Sequence, residues 1–344
     1  MRISIGPSGI PTGQENIVYP ALRFPRMLAD ALLLLGGLVL IYLGGRWLVG
    51  GASQLAASLG IRPFVIGLTI VGFGTSAPEL ALGILANVQG AGSVSLGNII
   101  GSNIGNVTYV IAASAIIMPI MVKFEVIRKE GIAAMAGVLL LLIFSLSGSL
   151  EWWMGAIMLV FFGVYLIFFL LTLKRCDPSN DITCQFEDLG DRRWGKKRTL
   201  GLVLLGLVLL VAGAQVTVTG AVEIARGLGI SEVLIGITVI AIGTTLPELT
   251  VAVLSARSKR PDLAIGNTLG TLTFNSLVVL GLGAMVSGSI QVPTAVLLTG
   301  ILPMVGFSAL IIIMFYTKSA IGRRAGVALF ALYAAYIISL VILS

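Results

Sequence analysis

Two short stretches of this chain place a carboxylate where lipid disfavours one. Gly72 to Leu80 reads GFGTSAPEL and Ala241 to Leu249 reads AIGTTLPEL, so Glu79 and Glu248 each sit inside an apolar run long enough to cross a membrane. A charge at that depth costs free energy, and acids kept there mark polar interiors and ion pathways. Downstream of each glutamate lies a polar stripe: Asn98, Ser102 and Asn106 in one case, Asn267, Thr271 and Asn275 in the other. The spacing of four puts each trio on one helix face. Ser102, Asn106, Thr271 and Asn275 are expected to line a site with the two acids. Asn98 and Asn267, near the helix starts, are expected to bond between helices instead, and Thr69 and Thr238 to pack. Carboxylates, hydroxyls, amide oxygens and carbonyls at helix breaks are all hard donors. Calcium takes about six to eight such oxygens in flexible geometry. Two carboxylates balance one calcium ion, and sodium ions or protons can neutralise the same pair when calcium leaves.

The local sequence points to a broken helix around each acid. Pro78 and Pro247 lack a backbone donor and disfavour helical geometry at Ala77 and Leu246. Ser76 with Glu79, and Thr245 with Glu248, match the capping-box pattern at the start of a second half-helix. Capping alone does not require a full charge at mid-membrane, since glutamine would serve, and it leaves the downstream stripes without a purpose.

The two stretches belong to a duplication. The offset of 169 that carries Glu79 onto Glu248 also carries Gly44 onto Gly213, Gly51 onto Gly220 and Gly60-Ile61 onto Gly229-Ile230. It superposes Ile66-Gly67 on Ile235-Gly236, Thr69 on Thr238, Gly74-Thr75 on Gly243-Thr244 and Pro78-Glu79-Leu80 on Pro247-Glu248-Leu249. Gly97-Asn98, Gly101 and Asn106 fall on Gly266-Asn267, Gly270 and Asn275 without a gap.

Composition sets the surroundings. Hydrophobic residues make up 57% and charged residues 11%, where a soluble domain carries about 25% charged. Ten apolar runs lie at 28–55, 62–87, 94–118, 129–147, 152–173, 199–226, 230–256, 262–286, 293–317 and 324–343. The fold class read from them is an all-α integral membrane protein, ten transmembrane helices as two inverted five-helix repeats. The inversion follows because five spans is an odd number. Secondary transporters with such repeats bind their cargo near the midplane on broken helices. The segments are an N-terminal tail (1–27), a first repeat (28–174), a polar loop (175–198) and a second repeat (199–344). The tail is not a signal peptide; it reads either as a short tail or as sequence ahead of a start at Met27.

Lys and Arg collect in alternate loops: Lys123, Arg128 and Lys129; Arg192, Arg193, Lys196, Lys197 and Arg198; Arg257, Lys259 and Arg260; Lys318, Arg323 and Arg324. The positive-inside rule puts these in the cytoplasm and both termini outside, in a multi-pass cell (inner) membrane protein, although Arg2, Arg23 and Arg26 on the outer tail run against it. The same placement explains the net charge of +7 without a nucleic-acid partner. The absence of histidine removes imidazole metal sites and Ser-His or Cys-His catalysis. Cys176 and Cys184 form no metal motif and read as free thiols.

At the residues quoted, the sequence resembles the cation/calcium antiporter superfamily, the sodium/calcium exchangers and their prokaryotic relatives. GTSAPE and GTTLPE, followed by GNIIGSNIGN and GNTLGTLTFN, look like its two repeat signatures. The resemblance implies ion sites between the second, third, seventh and eighth helices. Carried over by position, the ligands are Thr75, Ser76, Glu79, Ser102 and Asn106, with Thr244, Thr245, Glu248, Thr271 and Asn275. Backbone carbonyls near Gly72 and Ala241 complete the set. Two features depart from the pattern: Asn275 stands where many sodium/calcium exchangers carry aspartate, and Thr271-Leu272-Thr273 replaces the Ser-Asn-Ile of the first repeat. The expected function is calcium exchange against sodium, with calcium against protons as the alternative and no cofactor. A membrane-embedded hydrolase and a passive cation channel are the remote alternatives, and the chain is not expected to be an enzyme. The expected partners are the lipid bilayer, calcium and monovalent cations; the sequence is silent on oligomeric state.

Overall fold

The computed structural model describes residues 20–121, 124–173, 195–229, 241–318 and 320–343. Most of the N-terminal tail, Lys123, most of the polar loop with both cysteines, and residues 230–240 with Thr238 lie outside the described residues.

Ten helices follow one another in the described chain: α1 (Pro20–Leu59), α2 (Pro63–Val88), α3 (Gly92–Ile117), α4 (Phe124–Ser145), α5 (Trp152–Leu171), α6 (Lys196–Gly227), α7 (Ala241–Arg257, interrupted at Thr245), α8 (Pro261–Ser287), α9 (Thr294–Thr317) and α10 (Arg323–Leu343). Among the described residues eight of these are long and apolar enough to cross a bilayer. The other two are α4, which carries Glu125, Arg128, Lys129 and Glu130 in its first turns, and α7, described only from Ala241.

The duplication is written in the backbone. Gly60 and Gly229 have φ of 64° and 78° at the ends of α1 and α6, and the turns into α3 and α8 use Gly90 at 75° and Lys259 at 57°. The last pair shows the geometry outliving the residue: a left-handed turn that glycine enters easily is held by lysine in the second copy.

Four short strands, not foreseen from the sequence, tie the repeats together. β1 (Ile120–Met121) pairs antiparallel with β4 (Ala320–Ile321), and β2 (Ser149–Glu151) with β3 (Ser289–Gln291). Each pair joins the end of one repeat's third helix to the other repeat's fourth connection. Runs of two or three residues are too short to show a strand period.

α1 and α6 cross antiparallel along a seam of glycines. Gly37 and Gly44 on one helix meet Gly213 and Gly206 on the other, and Gly51 and Gly220, seven residues further along each, extend the seam against Val203 and Leu34. A Cβ at Gly213 would lie 2.7 Å from the Ile41 nitrogen, and one at Gly220 would lie 2.7 Å from that of Leu34. Such close backbone approach replaces the hydrophobic drive that lipid cannot supply. The core sits between α2, α3 and α8, where Phe64, Leu68, Leu96, Ile99 and Ile104 are buried. Val160, Val164 and Leu171 of α5 point outward, as on a lipid-facing helix.

Candidate cation site

Each glutamate follows a one-residue interruption. Gly72–Thr75 is helical, Ser76 has φ −81° and ψ 4°, and helix resumes at Ala77. In α7, Ala241–Thr244 is helical, Thr245 has φ −97° and ψ 7°, and helix resumes at Leu246. Both breaks lie two residues before a proline, which has no N–H for the carbonyl four positions back. The helix direction survives, because the Leu80 and Leu249 N–H groups still donate to Ser76 and Thr245 carbonyls, each at 3.0 Å.

The expected capping boxes do not form. An N-cap side chain reaches forward from an extended backbone, whereas ψ near zero turns these hydroxyls back. The Ser76 hydroxyl donates to the Gly72 carbonyl at 2.9 Å, and that of Thr245 to the Ile242 carbonyl at 3.0 Å. Neither Ser76 nor Thr245 makes a side-chain cap bond, so the carboxylates are not committed to capping.

Wider turns shape the facing helices. Asn106–Val110 in α3 and Asn275–Val279 in α8 are π-helical, each beginning at the asparagine. Gly67–Val71 in α2, just before the break, is π-helical too. Such bulges concentrate at functional sites, and nothing in residue spacing signals them.

These elements bring the polar side chains together. Glu79 is 1% exposed and Glu248 0%, and Thr75, Ser76, Ser102, Asn106, Thr245, Thr271 and Asn275 are equally buried. Ser102 is the hub of one half. Its hydroxyl donates to Glu79 Oε1 at 3.5 Å and accepts from the amides of Asn106 and Asn275, each at 3.4 Å. Across the repeats, the hydroxyls of Ser76 and Thr271 lie 3.3 Å apart, and that of Thr271 reaches the Gly72 carbonyl at 3.3 Å. The Thr75 hydroxyl lies beside Glu248, within 3.3 Å of both the Gly72 carbonyl and Asn267 Oδ1. Glu248 in turn feels the charge of Glu79. Thr244 is half-buried at the break, and Ala241 opens the described part of α7.

Counting donors against acceptors is informative. Glu79 Oε2, both carboxylate oxygens of Glu248, and the amide oxygens of Asn106 and Asn275 accept no hydrogen bond among the described residues. All five are acceptors and all are buried. Unmatched buried acceptors are expensive, and cations are the partners that acceptors of this kind can take. Among the described residues there is no cluster of three or more acidic, histidine or cysteine ligands. A set of two acids and neutral oxygens suits an ion that must leave as well as arrive.

The structure differs from the sequence reading at the edges of the stripes. Asn267 takes an interhelical bond from Thr75, as expected, but Asn98 is half-buried and its amide nitrogen has no partner among the described residues. Thr69 packs, its hydroxyl donating to Val65 at 2.8 Å. Sequence reasoning missed Phe73 and Phe274, neighbours of Gly72 and Asn275, whose rings stack across the repeats at 5.0 Å. It also missed Tyr109, which hydrogen-bonds to Thr245.

An inverted pair of five-helix repeats around buried carboxylates defines a secondary transporter of cations. The chain belongs to the sodium/calcium exchanger protein family, whose model matches residues 30–171 and 198–342, and it is therefore a multi-pass membrane antiporter rather than an enzyme. It is 39% identical over 262 residues to the putative antiporter CaxA of Alkalimonas amylolytica, covering 76% of this chain and 82% of that one. It is 29% identical over 343 residues to the sodium/calcium exchanger MaX1 of Methanosarcina acetivorans, covering 90% and 97%. Among solved structures it superposes on the sodium-calcium exchanger NCX_Mj, with a TM-score of 0.78 and 30% identity over 91% of this chain and 99% of that one.

Proposed function

We propose that the protein exchanges calcium for sodium by alternating access at a single midplane site centred on Glu79 and Glu248. The observation that carries this reading is the set of five buried, unmatched acceptor oxygens contributed by both repeats. The two carboxylates balance calcium. Hydroxyls of Thr75, Ser76, Ser102, Thr244, Thr245 and Thr271, amide oxygens of Asn106 and Asn275, and carbonyls near Gly72 and Ala241 supply the remaining ligands from which the site selects. Two sodium ions neutralise the same pair on the return, and the empty, doubly negative site is disfavoured from crossing. Basic loops orient the chain with its central loop in the cytoplasm and its termini outside. A proton can replace sodium at either carboxylate, which makes calcium/proton exchange the reading to test against.

The test is calcium uptake into vesicles reconstituted with the full chain, with sodium, potassium and proton gradients imposed one at a time. Uptake driven by outward sodium and indifferent to a pH jump is expected. Uptake following the pH jump alone would replace sodium with protons as the counter-ion. Glu79→Gln and Glu248→Gln are each expected to abolish exchange while inserting normally, and wild-type transport in either would reject the paired-carboxylate site.

A further inference from the structure

The two halves of the site are not chemically equivalent, and one side chain makes the difference. Tyr109 lies one turn beyond Asn106 in α3 and is 7% exposed. Its ring folds back over Gly105, where a Cβ would stand 2.7 Å from the ring edge and 3.3 Å from the phenol oxygen. Glycine at 105 therefore makes room for the tyrosine four residues later. On its other side the ring packs against Tyr333 of α10, centroids 4.8 Å apart. So held, the phenol reaches across to the hydroxyl of Thr245, within electrostatic reach of both Glu248 and Glu79.

The direction of that hydrogen bond follows from proton counting. A threonine hydroxyl has one proton, and that of Thr245 goes to the Ile242 carbonyl. In that arrangement Tyr109 donates, and its proton occupies a lone pair of Thr245 Oγ1 that a cation would otherwise use. The repeat offset places Val278 opposite Tyr109, and valine has nothing to donate. Ser76, the counterpart of Thr245, instead meets Thr271 and the Gly72 carbonyl.

We infer that Tyr109 is a specificity-determining residue: by donating to Thr245 it weakens monovalent-cation coordination in the second-repeat half of the site. This rests on the exchange reading above. Calcium, held chiefly by the two carboxylates, is less sensitive to one hydroxyl lone pair than sodium, whose coordination leans on neutral oxygens.

The experiment uses the full chain in proteoliposomes, following radioactive calcium efflux against graded external sodium. Tyr109→Phe keeps the ring and its packing while removing the donor. It is expected to lower the sodium concentration for half-maximal exchange about three- to tenfold, with calcium half-saturation moving less than twofold. The double variant Tyr109→Phe/Thr245→Val is expected to lose that gain. An unchanged sodium dependence in Tyr109→Phe, equal shifts for both ions, or a gain that survives in the double variant each overturns the assignment. If the wild type itself exchanges no calcium for sodium, the exchange reading falls and this assignment with it. Wild-type exchange abolished by Glu79→Gln, with no sodium shift in Tyr109→Phe, overturns the assignment alone.

Discussion

At the scale of single residues, Ser102 shows how neutral groups set the site's geometry. Its one hydroxyl donates to Glu79 and receives both asparagine amides, so it turns the amide oxygens of Asn106 and Asn275 into fixed acceptors. Ser102→Ala leaves the charge count intact but removes the hub. A hydrogen bond to a charged group is worth about 1.5–3 kcal/mol, so calcium half-saturation is expected to rise about ten- to a hundredfold. Uptake kinetics on a reconstituted variant of unchanged melting temperature would measure this directly, and an unchanged half-saturation would remove Ser102 from the site. Serine, threonine and asparagine were legible as candidates from the sequence because they repeat at a fixed offset on a face shared with no charge. What each one does was not legible. Ser76 and Thr245 match a capping box by type and spacing, yet a ψ near zero at each turns the hydroxyl backward. Tyr109 was invisible for a related reason: Val278 stands at its equivalent position, so a search for paired residues passes over it.

Helices and strands tell a similar story on a larger scale. The spans and their breaks at Pro78 and Pro247 follow from apolar length and a missing backbone donor. The π-helical turns at Asn106 and Asn275 and the paired strands depend on tertiary contacts, so no local pattern announces them. The same tertiary contacts decide which glycines cannot carry a side chain. A Cβ at Gly266 or Gly270 would collide with the Phe64 or Leu68 carbonyl of α2. Overpacking of a close contact costs about 1–3 kcal/mol. Gly266→Ala and Gly270→Ala are therefore expected to lower the melting temperature in detergent by several degrees. An unchanged melting temperature in both variants would mean that α2 and α8 do not approach as closely as described.

For the whole molecule, the decisive quantity is the charge carried per cycle. The buried site holds two acids, and Asn275 supplies an amide where a third acid would leave an empty site with three negative charges instead of two. On the proposed two-carboxylate site, two negative charges balance one calcium ion or two monovalent cations, so both loaded forms would cross the membrane neutral and exchange is expected to be electroneutral. One net charge per cycle would be worth about 2.3 kcal/mol at 100 mV, a shift of about fiftyfold in the calcium ratio at equilibrium. Vesicles clamped with a potassium diffusion potential are therefore expected to show no voltage effect on calcium exchange by the wild type. Asn275→Asp adds a carboxylate at the start of the π-helical turn, within reach of Ser102. That variant is expected to recruit an additional monovalent cation and make exchange respond to the clamped potential. A voltage-driven wild type would show that a cation crosses without a carboxylate to balance it. The neutral oxygens of the two repeats would then have to hold that cation unaided.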